Sequence, residues 1–166
     1  MPTAVIALLQ RVTTASVVVS GATVAAIGPG LLALTCVERG DGEKEAKRLA
    51  ERVCGYRIFS DDTGRMNLSV VEVGGSLLLV PQFTLAADTK KGMRPGFSSS
   101  GNPVAGETLF RSFVAHCRER VSEVQTGQFG SHMEVSLTND GPVTFWLQVE
   151  AADASRRRRG SARVET

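Results

Sequence analysis

Four short runs of aliphatic and β-branched residues occupy the first 37 positions of the chain, at residues 5–12, 15–19, 23–27 and 31–37. Ser20-Gly21 and Gly28-Pro29-Gly30 separate three of these runs and have the residues of tight turns. Such runs are short for helices and rich in residues that favour strands. The first third of the chain is therefore predicted to form β-sheet, with residues 31–34 in a strand buried on both faces.

Two amphipathic segments further along the chain predict helices. Ala46, Leu49, Ala50 and Val53 recur at intervals of three and four, which gives the segment that ends at Gly55 one apolar face. Asp41 is the predicted N-cap of this first helix. The second helix is predicted at residues 104–121, and its apolar face comprises Leu109, Phe110, Phe113, Val114, Cys117 and Val121.

The remaining patterns complete one domain. Four further strands are predicted, at residues 57–59, 76–80, 132–137 and 143–149, and residues 86–103 are predicted to be a long irregular loop. About eight strands and two main helices favour the α+β class, with a curved, mostly antiparallel sheet or barrel. This domain is assigned to residues 1–150. Residues 151–166 lack apolar periodicity and are predicted to be an Arg-rich, disordered tail.

The charge of the chain is unevenly divided. The 166 residues have a formal net charge of +2, from 19 Lys and Arg against 17 Asp and Glu. Residues 153–166 hold five arginines against one aspartate and one glutamate, a charge of +3, so residues 1–152 hold 14 basic against 15 acidic residues, or −1. This charge excludes nucleic-acid binding by a generally basic domain. Any contact with nucleic acid must come from local patches or from the tail.

The cysteines and histidines limit the available chemistry. Cys36, Cys54 and Cys117 are widely spaced, lack metal-ligand spacing and are predicted to be buried, reduced thiols of a cytoplasmic protein. His116 and His132 are the only histidines, so a Ser/His or Cys/His hydrolase has few possible bases. No stretch reaches the about 20 apolar residues that cross a bilayer, and the first residues are predicted to form a strand rather than a signal peptide.

Three segments combine polar residues with glycine or proline at the ends of predicted strands: 81–84, 88–95 and 139–144. Residues 82–85 and 139–144, together with several other short motifs, make the chain resemble the D-aminoacyl-tRNA deacylases, historically called D-tyrosyl-tRNA deacylases. The resemblance extends over residues 4–149 and leaves out the Arg-rich tail. Besides these segments, its motifs are Gln10-Arg11-Val12, Arg57-Ile58-Phe59, Gly64-Arg65-Met66-Asn67-Leu68-Ser69 and Thr126-Gly127-Gln128-Phe129-Gly130.

The resemblance implies a reaction and an assembly. The family hydrolyses the ester that joins a D-amino acid, or glycine, to the 3′-terminal adenosine of tRNA, and no metal or organic cofactor is implied. It works as a homodimer with sites at the subunit interface. The implied partners are therefore aminoacyl-tRNA and a second copy of the chain, with no membrane. In the family the 2′-hydroxyl of the terminal adenosine takes part in catalysis, and the protein mainly supplies placement.

Two family signatures map onto this chain. The form Ser-Gln-x-Thr corresponds to residues 81–84, where Pro81 replaces the serine. That change removes a hydroxyl and an N–H, and it is expected to be neutral because the rest of the segment is intact. The form Asn-x-Gly-Pro-x-Thr corresponds to residues 139–144. In the family its Gly-Pro bond is cis and enters the partner's site, which implies that Gly141-Pro142 rejects L-amino acids.

The resemblance yields two groups of candidate residues, and the charge pattern yields a third. The catalytic candidates are Gln82, Phe83 and Thr84. The substrate-binding candidates are Gly141, Pro142, Asn139, Met133 and Arg11. The RNA-binding candidates are Lys90, Lys91 and Arg94, which form the basic cluster of the body.

Several of these residues also have a purely structural interpretation, and these alternatives stay open. Phe83 and Met133 are also compatible with core packing, and Arg11 with a plain surface salt bridge. Gly141-Pro142 has the composition of an ordinary hairpin turn. The basic cluster is also compatible with a solvated loop.

The chemistry of an aminoacyl ester favours a positioning role for Thr84. Because the ester is already activated, an enzyme needs a water, an oxyanion stabiliser and accurate placement. A threonine nucleophile needs an adjacent base, and no His, Asp or Glu occurs between Val73 and Ala87. Chiral selection needs only a rigid backbone wall near the α-carbon, and glycine permits such close approach.

Two further classes of function compete with this one. A non-catalytic, dimeric module could hold the tRNA 3′ end or a small ligand, and a hydrolase could use a Thr or Cys nucleophile. The intact segments 82–84 and 139–144 favour the deacylase.

Overall fold

Eight strands and two α-helices follow one another in the part of the chain that the structure describes. The structure, a computed structural model, describes residues 4–37, 40–97 and 102–150. The elements are β1 (Ala4–Val19), β2 (Ala22–Ile27), β3 (Gly30–Cys36), α1 (Glu43–Gly55), β4 (Phe59–Ser60), β5 (Met66–Leu68), β6 (Ser76–Pro81), a 3₁₀ turn (Phe83–Ala86), α2 (Pro103–Arg118), β7 (Val124–Thr126) and β8 (Glu134–Glu150).

β1 is the central strand of the main sheet. On one edge it pairs antiparallel with β3 and then with β2, and on the other edge it pairs antiparallel with β8 along nearly its whole length. The predicted strands at 5–12 and 15–19 are therefore one strand, since Thr13 and Thr14 continue the extended chain. Threonine favours strands, so these two polar residues do not mark a turn.

The sheet is mixed, because two of its pairings are parallel. β3 pairs with β6 and β6 pairs with β7, both in parallel, and the helices α1 and α2 lie in the two connections. Parallel neighbours need a long crossover, which these helical segments supply. The backbone N–H of Ala26 in β2 donates to the Gln125 side-chain oxygen in β7 at 2.8 Å. The curved sheet is thus nearly closed, as the α+β prediction of a curved sheet or barrel requires.

Hydrophobic cores lie on both faces of the sheet. One core packs the sheet against α1 and α2 and includes Leu31, Leu77 and Phe113. The other lies on the opposite face and includes Leu32 and Leu78. Consecutive residues of β3 and β6 are buried on opposite faces, so the prediction that 31–34 is buried on both sides is confirmed.

Several sequence predictions about these elements need correction. The predicted helix 104–121 is Pro103–Arg118, and the predicted strand 57–59 is Phe59–Ser60. The predicted strands 132–137 and 143–149 are parts of the single strand β8, which begins at Glu134 rather than at residue 132, and the segment between them is an excursion from that strand. The N-cap of α1 is Gly42 rather than Asp41, and the Glu45 carboxylate accepts a hydrogen bond from the Gly42 N–H at 3.0 Å. Residues 124–126 form β7, which is too short to show an alternating pattern.

Two further predictions concern a membrane-spanning segment and the C-terminal tail. Within residues 4–37, 40–97 and 102–150, no helix is long and apolar enough to span a membrane. The predicted Arg-rich tail at 151–166 lies outside the described residues.

Gly30 stands where β3 meets β6, and its lack of a side chain is required there. A Cβ atom added at Gly30 would lie 1.9 Å from the backbone oxygen of Ser76, whereas one added at Gly28 would meet nothing within 4 Å. We expect Gly30→Ala to lower the free energy of unfolding by about 3 kcal/mol, the upper end of the usual cost of overpacking. Gly28→Ala, the matched control, should change it by less than about 0.5 kcal/mol. Urea unfolding measures both, and equal stability of the two variants would contradict the close packing of β3 on β6.

Candidate active site

Gln82 and Thr84 lie directly beyond the carboxyl end of β6. The ladder between β3 and β6 ends at the pair Thr35 and Pro81, and the Gln82 N–H donates to the Thr35 carbonyl oxygen at 2.7 Å. The chain then turns into the 3₁₀ turn Phe83–Ala86. The Gln82 side-chain amide donates to the Thr84 hydroxyl oxygen. The signature segment is thus held against β3, and its two polar side chains are joined to each other.

Phe83 lies on the surface, so the core-packing interpretation of this residue is wrong. Its side chain is 64% exposed, and its ring lies 5.5 Å from the ring of Phe97, itself 40% exposed. Phe97 follows a loop that is closed by two backbone hydrogen bonds between Asp88 and Gly96, at 2.8 and 2.9 Å. Two exposed aromatic rings in contact form an apolar platform beside Gln82 and Thr84. The sequence analysis missed Phe97 because it lies in an irregular segment without periodicity.

The basic candidates lie on the same loop. Lys90, Lys91 and Arg94 are exposed between Asp88 and Gly96, and the Lys90 N–H donates to the Asp88 carboxylate at 3.0 Å. Phe97 of the aromatic platform directly follows the loop that carries these three cations. The structure therefore brings the RNA-binding candidates and the catalytic candidates to one end of the sheet.

Met133 joins this end of the sheet through Gly127. The Gln128 N–H donates to the Met133 sulfur at 3.3 Å, and the Gly127 N–H donates to the Leu79 carbonyl at 2.9 Å. A Cβ atom on Gly127 would lie 2.8 Å from that sulfur and 3.5 Å from Pro81. Met133 also packs against the second core. It is therefore a core contact that lies beside the signature segment.

The second signature forms a loop that leaves β8. Asn139 pairs with Val12 and Thr144 pairs with Gln10. An advance of two residues along β1 therefore corresponds to an advance of five residues along β8, and the extra residues of β8 form the loop. The Asn139 side chain closes this loop: its oxygen accepts from the Val143 N–H at 2.8 Å, and its nitrogen donates to the Val143 carbonyl at 3.1 Å and to the Thr144 hydroxyl at 3.2 Å. Gly141-Pro142 lies at the tip and is joined by a cis peptide bond. The ordinary-hairpin interpretation is therefore wrong, since the strand continues beyond the loop.

Arg11 braces this loop from β1. Its side chain donates to the Asp140 carbonyl oxygen at 2.9 Å and to the Ile58 carbonyl oxygen at 2.7 Å. The Asp140 carboxylate lies 3.4 Å away, yet only 13% of the Arg11 side chain is exposed. These carbonyl contacts distinguish Arg11 from a plain surface salt bridge.

Glycine is also needed at position 141. A Cβ atom there would lie 2.3 Å from the Val143 nitrogen and 2.6 Å from a Val143 methyl group. The loop therefore presents bare main chain at its tip, followed by the proline ring.

Within one chain the two signatures lie far apart. The Gly141-Pro142 loop is level with Arg11, which pairs with Leu31, whereas Gln82 is level with Thr35. Leu31 and Thr35 are four residues apart on β3, which is about 13 Å along the strand. The loop on β8 and Gln82 beyond β6 are also three strand spacings apart, which adds about 14 Å across the sheet. The structure thus gathers Gln82, Phe83, Thr84, Met133 and the basic loop in one place, and Asn139, Gly141, Pro142 and Arg11 in another.

Thr84 has no catalytic base beside it. Across residues 4–37, 40–97 and 102–150, the hydrogen bond recorded for its hydroxyl comes from Gln82, and no imidazole or carboxylate bonds to it. In the same residues no three His, Cys, Asp or Glu side chains are grouped to hold a metal ion. This arrangement favours the positioning role of Thr84.

The cysteines are unsuited to nucleophilic catalysis. Cys36, Cys54 and Cys117 are all free and buried, as predicted. A hydrogen bond with Cys54, together with burial, raises the pKa of the Cys117 thiol. The same hydrogen bond lowers the pKa of Cys54. All three thiols are nevertheless buried, out of reach of an ester in solvent, so the Cys-nucleophile hydrolase loses its support.

A Ser-His-Glu group between the helices does not have the geometry of a triad. The Ser112 hydroxyl donates to both Glu43 oxygens, at 2.6 and 2.5 Å, and the His116 ring nitrogen lies 2.7 Å from the same carboxylate. Serine and histidine therefore share the carboxylate rather than bond to each other. The hydrogen bonds from Ser112 and His116 lower the pKa of Glu43. The group joins the start of α1 to α2 and has a structural role.

Comparison with known proteins supports the resemblance. Residues 8–148 match the family model described as D-Tyr-tRNA(Tyr) deacylase. Proteins named D-aminoacyl-tRNA deacylase from Proteus mirabilis (strain HI4320) and Janthinobacterium sp. (strain Marseille) are each 60% identical, over 87% of this chain and 99% and 97% of theirs. A solved structure titled "c-Myc DNA Unwinding Element Binding Protein" is 35% identical, with a TM-score of 0.83 over 88% of this chain and 99% of its own.

A more distant structure shows the fold alone. It is titled as a probable eukaryotic D-amino acid tRNA deacylase and is 16% identical, with a TM-score of 0.78 over 88% of this chain and 100% of its own. The chain is a hydrolase, as its 60% identical relatives named deacylases show. The curved mixed sheet and the two signature segments agree with this class. Within that class, the chain belongs to the D-Tyr-tRNA(Tyr) deacylase family.

Proposed function

We propose that the chain hydrolyses the ester bond of D-aminoacyl-tRNA and releases tRNA and the free D-amino acid. Water adds to the ester carbonyl carbon, the bond to the ribose oxygen breaks, and that oxygen takes a proton. The observation that carries this proposal is the exposed cluster of Gln82, Phe83 and Thr84 beyond β6, in a chain 60% identical to named deacylases.

The cluster suits the placement of a terminal nucleotide. The platform of Phe83 and Phe97 offers a flat apolar surface on which an adenine base can stack. The joined polar groups of Gln82 and Thr84 lie beside it and can orient the ribose or the ester. Lys90, Lys91 and Arg94, on the loop that leads to the platform, suit the phosphates of the acceptor end. Each group therefore has a part in binding rather than in covalent chemistry.

Catalysis is proposed to use the RNA itself. Thr84 has no base in contact, so the reacting proton must move through another group. The 2′-hydroxyl of the terminal adenosine lies next to the ester in every substrate and can help to orient the attacking water. The protein then contributes proximity and orientation, which are large effects when the reacting atoms are well placed.

Chiral selection is assigned to the Gly141-Pro142 loop. Bare main chain at Gly141, held by Asn139 and Arg11, can stand close to the α-carbon of the substrate. An L side chain would collide with such a wall, whereas a D side chain points away from it. Glycine has no side chain to collide, so glycyl-tRNA is also a proposed substrate. The wall reads no side-chain identity and accordingly accepts many D-amino acids.

A site that contains both signatures requires two copies of the chain. Within one chain the loop and the Gln82 cluster are separated by about 13 Å along β3 and by three strand spacings. A homodimer that places the loop of one protomer against the cluster of its partner removes this separation. The long outer strand β8 supports this arrangement, because Leu137 and Trp146 on it are 38% and 50% exposed.

A non-catalytic nucleic-acid module is the second candidate. One structural relative, 35% identical, is titled as a DNA-element binding protein. Such a module would use the same aromatic and basic surface without turning over its ligand.

Matched D- and L-aminoacyl-tRNA distinguish these functions. We expect hydrolysis of the D form and of glycyl-tRNA, and at least about 100-fold slower hydrolysis of the L form, because the wall excludes an L side chain sterically. Release of labelled amino acid over time measures each rate. Equal rates for both isomers would refute the wall, and binding without hydrolysis would favour the module.

Substitution of Thr84 separates positioning from nucleophilic attack. Loss of a positioning hydrogen bond should lower kcat/KM by about tenfold in Thr84→Ala. Loss of a nucleophile would lower kcat by about 10⁴-fold or more. Thr84→Ser keeps the hydroxyl and is the control. A substrate with a 2′-deoxy terminal adenosine should bind normally and react poorly; if it reacts normally while Thr84→Ala is dead, the positioning role is wrong.

Mixed dimers test whether the site is shared between protomers. We expect a mass of about 35 kDa in light scattering, twice 17.7 kDa. Phe83→Asp damages the cluster and Gly141→Val damages the loop, so each homodimer should be inactive. Coexpression of both variants should restore about a quarter of the sites, because half of the dimers are mixed and each has one intact site.

The control for mixed dimers is coexpression of two differently tagged Phe83→Asp chains, which should stay inactive. Continued inactivity of the Phe83→Asp and Gly141→Val mixture, with mixed dimers shown by both tags, would place each site within a single chain.

A further inference from the structure

Met93 is the most exposed large apolar side chain in the part of the chain that the structure describes. It is 100% exposed, whereas the other large apolar side chains on the described surface are 38–73% exposed and so keep contacts within the chain. A partly exposed apolar residue on a surface is ordinary. Met93 is different because its whole side chain is open to solvent, so any packing contact that it makes is with another molecule.

The loop between Asp88 and Gly96 holds Met93 away from the body of the protein. Two backbone hydrogen bonds between Asp88 and Gly96, at 2.8 and 2.9 Å, close the base of this loop. All residues from 89 to 95 are exposed. Gly92 has a φ of +72°, a left-handed conformation that favours glycine, and it turns the chain directly before Met93. The loop is thus a short projection with a closed base, and Met93 lies at its tip.

Three cations flank Met93 in the sequence. Lys90, Lys91 and Arg94 give the five residues 90–94 a charge of +3, and all three side chains are exposed. A partner for this tip must therefore offer anionic and apolar groups close together. Nucleic acid has both, since phosphates line its backbone and its bases have apolar faces. Methionine is among the apolar side chains that proteins place against base steps, so the tip fits a nucleic acid.

The length of the loop indicates which part of a tRNA its tip can reach. Phe97 follows Gly96 directly, and its ring lies against that of Phe83 in the platform proposed for the terminal adenine. Met93 is three residues from Gly96, so their α-carbons are at most about 10 Å apart, and the flexible Met93 side chain extends further. Nucleotides stacked as in a helix advance about 3.4 Å each. The tip can therefore reach about three or four nucleotides beyond an adenosine on the platform, where the unpaired 3′ end of a tRNA meets its paired stem.

We propose that the tip of this loop binds the end of the acceptor stem, where the double helix of the tRNA stops and the unpaired 3′ strand begins. Met93 packs on the exposed face of the last base pair, and Lys90, Lys91 and Arg94 contact the phosphates beside it. Methionine is flexible and polarizable, so this contact accepts any base pair, as an enzyme that acts on many tRNAs requires. The inference rests on the proposed function, since it gives the same substrate a second contact outside the ester site.

Binding of uncharged RNA tests this contact separately from hydrolysis. The stem probe is an RNA hairpin that ends in the unpaired 3′ tail of a tRNA, and the tail probe is that tail alone. Met93→Ala should raise Kd for the stem probe about fivefold, the loss expected when one methionine is no longer partly buried. Kd for the tail probe should stay unchanged. Fluorescence anisotropy measures both constants.

The salt dependence of binding separates the apolar contact from the ionic ones. Because methionine is uncharged, Met93→Ala should leave the slope of log Kd against log salt unchanged. Lys91→Ala should reduce that slope by about 0.7 to 0.9, the value for one lost phosphate contact. Both side chains are exposed, so the fold should be kept, and thermal unfolding checks this.

Three matched variants and one modified probe sharpen the result. Met66→Ala removes a methionine of β5 that is 48% exposed, and it should leave Kd for both probes unchanged. Met93→Leu keeps an apolar side chain of similar size and should bind the stem probe like the wild type, whereas the polar Met93→Gln should bind it like Met93→Ala. A stem probe whose 5′ strand carries an extra unpaired nucleotide, stacked over the last base pair, should bind the wild type and Met93→Ala equally.

The outcomes separate this inference from the proposed function. If the wild-type chain does not hydrolyse D-aminoacyl-tRNA but Met93→Ala still weakens binding of the stem probe alone, the proposed function is wrong and the contact is supported. If Met93→Ala binds the stem probe like Met66→Ala, or weakens both probes equally, Met93 does not contact the end of the stem. A lower mass for Met93→Ala than for the wild type in light scattering would show that the tip contacts a partner protomer, and it would overturn the assignment.

Discussion

The position of every candidate residue depends on the hydrogen bonding of β1 along both of its edges. Because β3 and β8 are both in register with this strand, residues of the two signatures are held at fixed levels of one ladder. An extended chain of this kind cannot shift by one residue without moving its buried side chains to the wrong face. Val5, Leu9 and Val12 are almost completely buried, so the ladder has a single register. The rigidity that the proposed chiral wall would need is therefore supplied by the sheet, and the loop adds only local closure.

That closure is built from polar contacts to the main chain. Asn139 uses its oxygen and nitrogen within the loop, and Arg11 donates to the carbonyl oxygens of Asp140 and Ile58. Contacts of this kind shape the loop without filling its tip. Any side chain at position 141 would collide with Val143, so only glycine fits at this position of the loop. Selectivity by exclusion requires such a surface, because an adaptable loop would yield to the wrong isomer.

Much of this fold can be predicted from local sequence patterns, and the remainder depends on long-range contacts. Aliphatic runs identify the buried strands and the spacing of apolar residues identifies both helices. The Asn-Asp-Gly-Pro composition of 139–142 predicts a hairpin, and only the pairing of β8 with β1 on both sides shows an excursion instead. The parallel pairings of β6 leave no local signature. The resemblance predicts roles for Gln82, Thr84 and Gly141, whereas Phe97 belongs to no motif and is found only through its contact with Phe83.

In the proposed function, the distribution of charge lets a weakly acidic body bind RNA. The cations of the loop at 88–96 would concentrate the attraction on the segment that leads into the exposed aromatic pair. A uniformly basic surface would hold any RNA and release it slowly, because phosphate contacts carry no information about sequence or handedness. Under this proposal, a few phosphate contacts near the ester would keep binding modest and leave discrimination to the loop. Such a division suits an enzyme that must inspect many charged tRNAs and retain few of them.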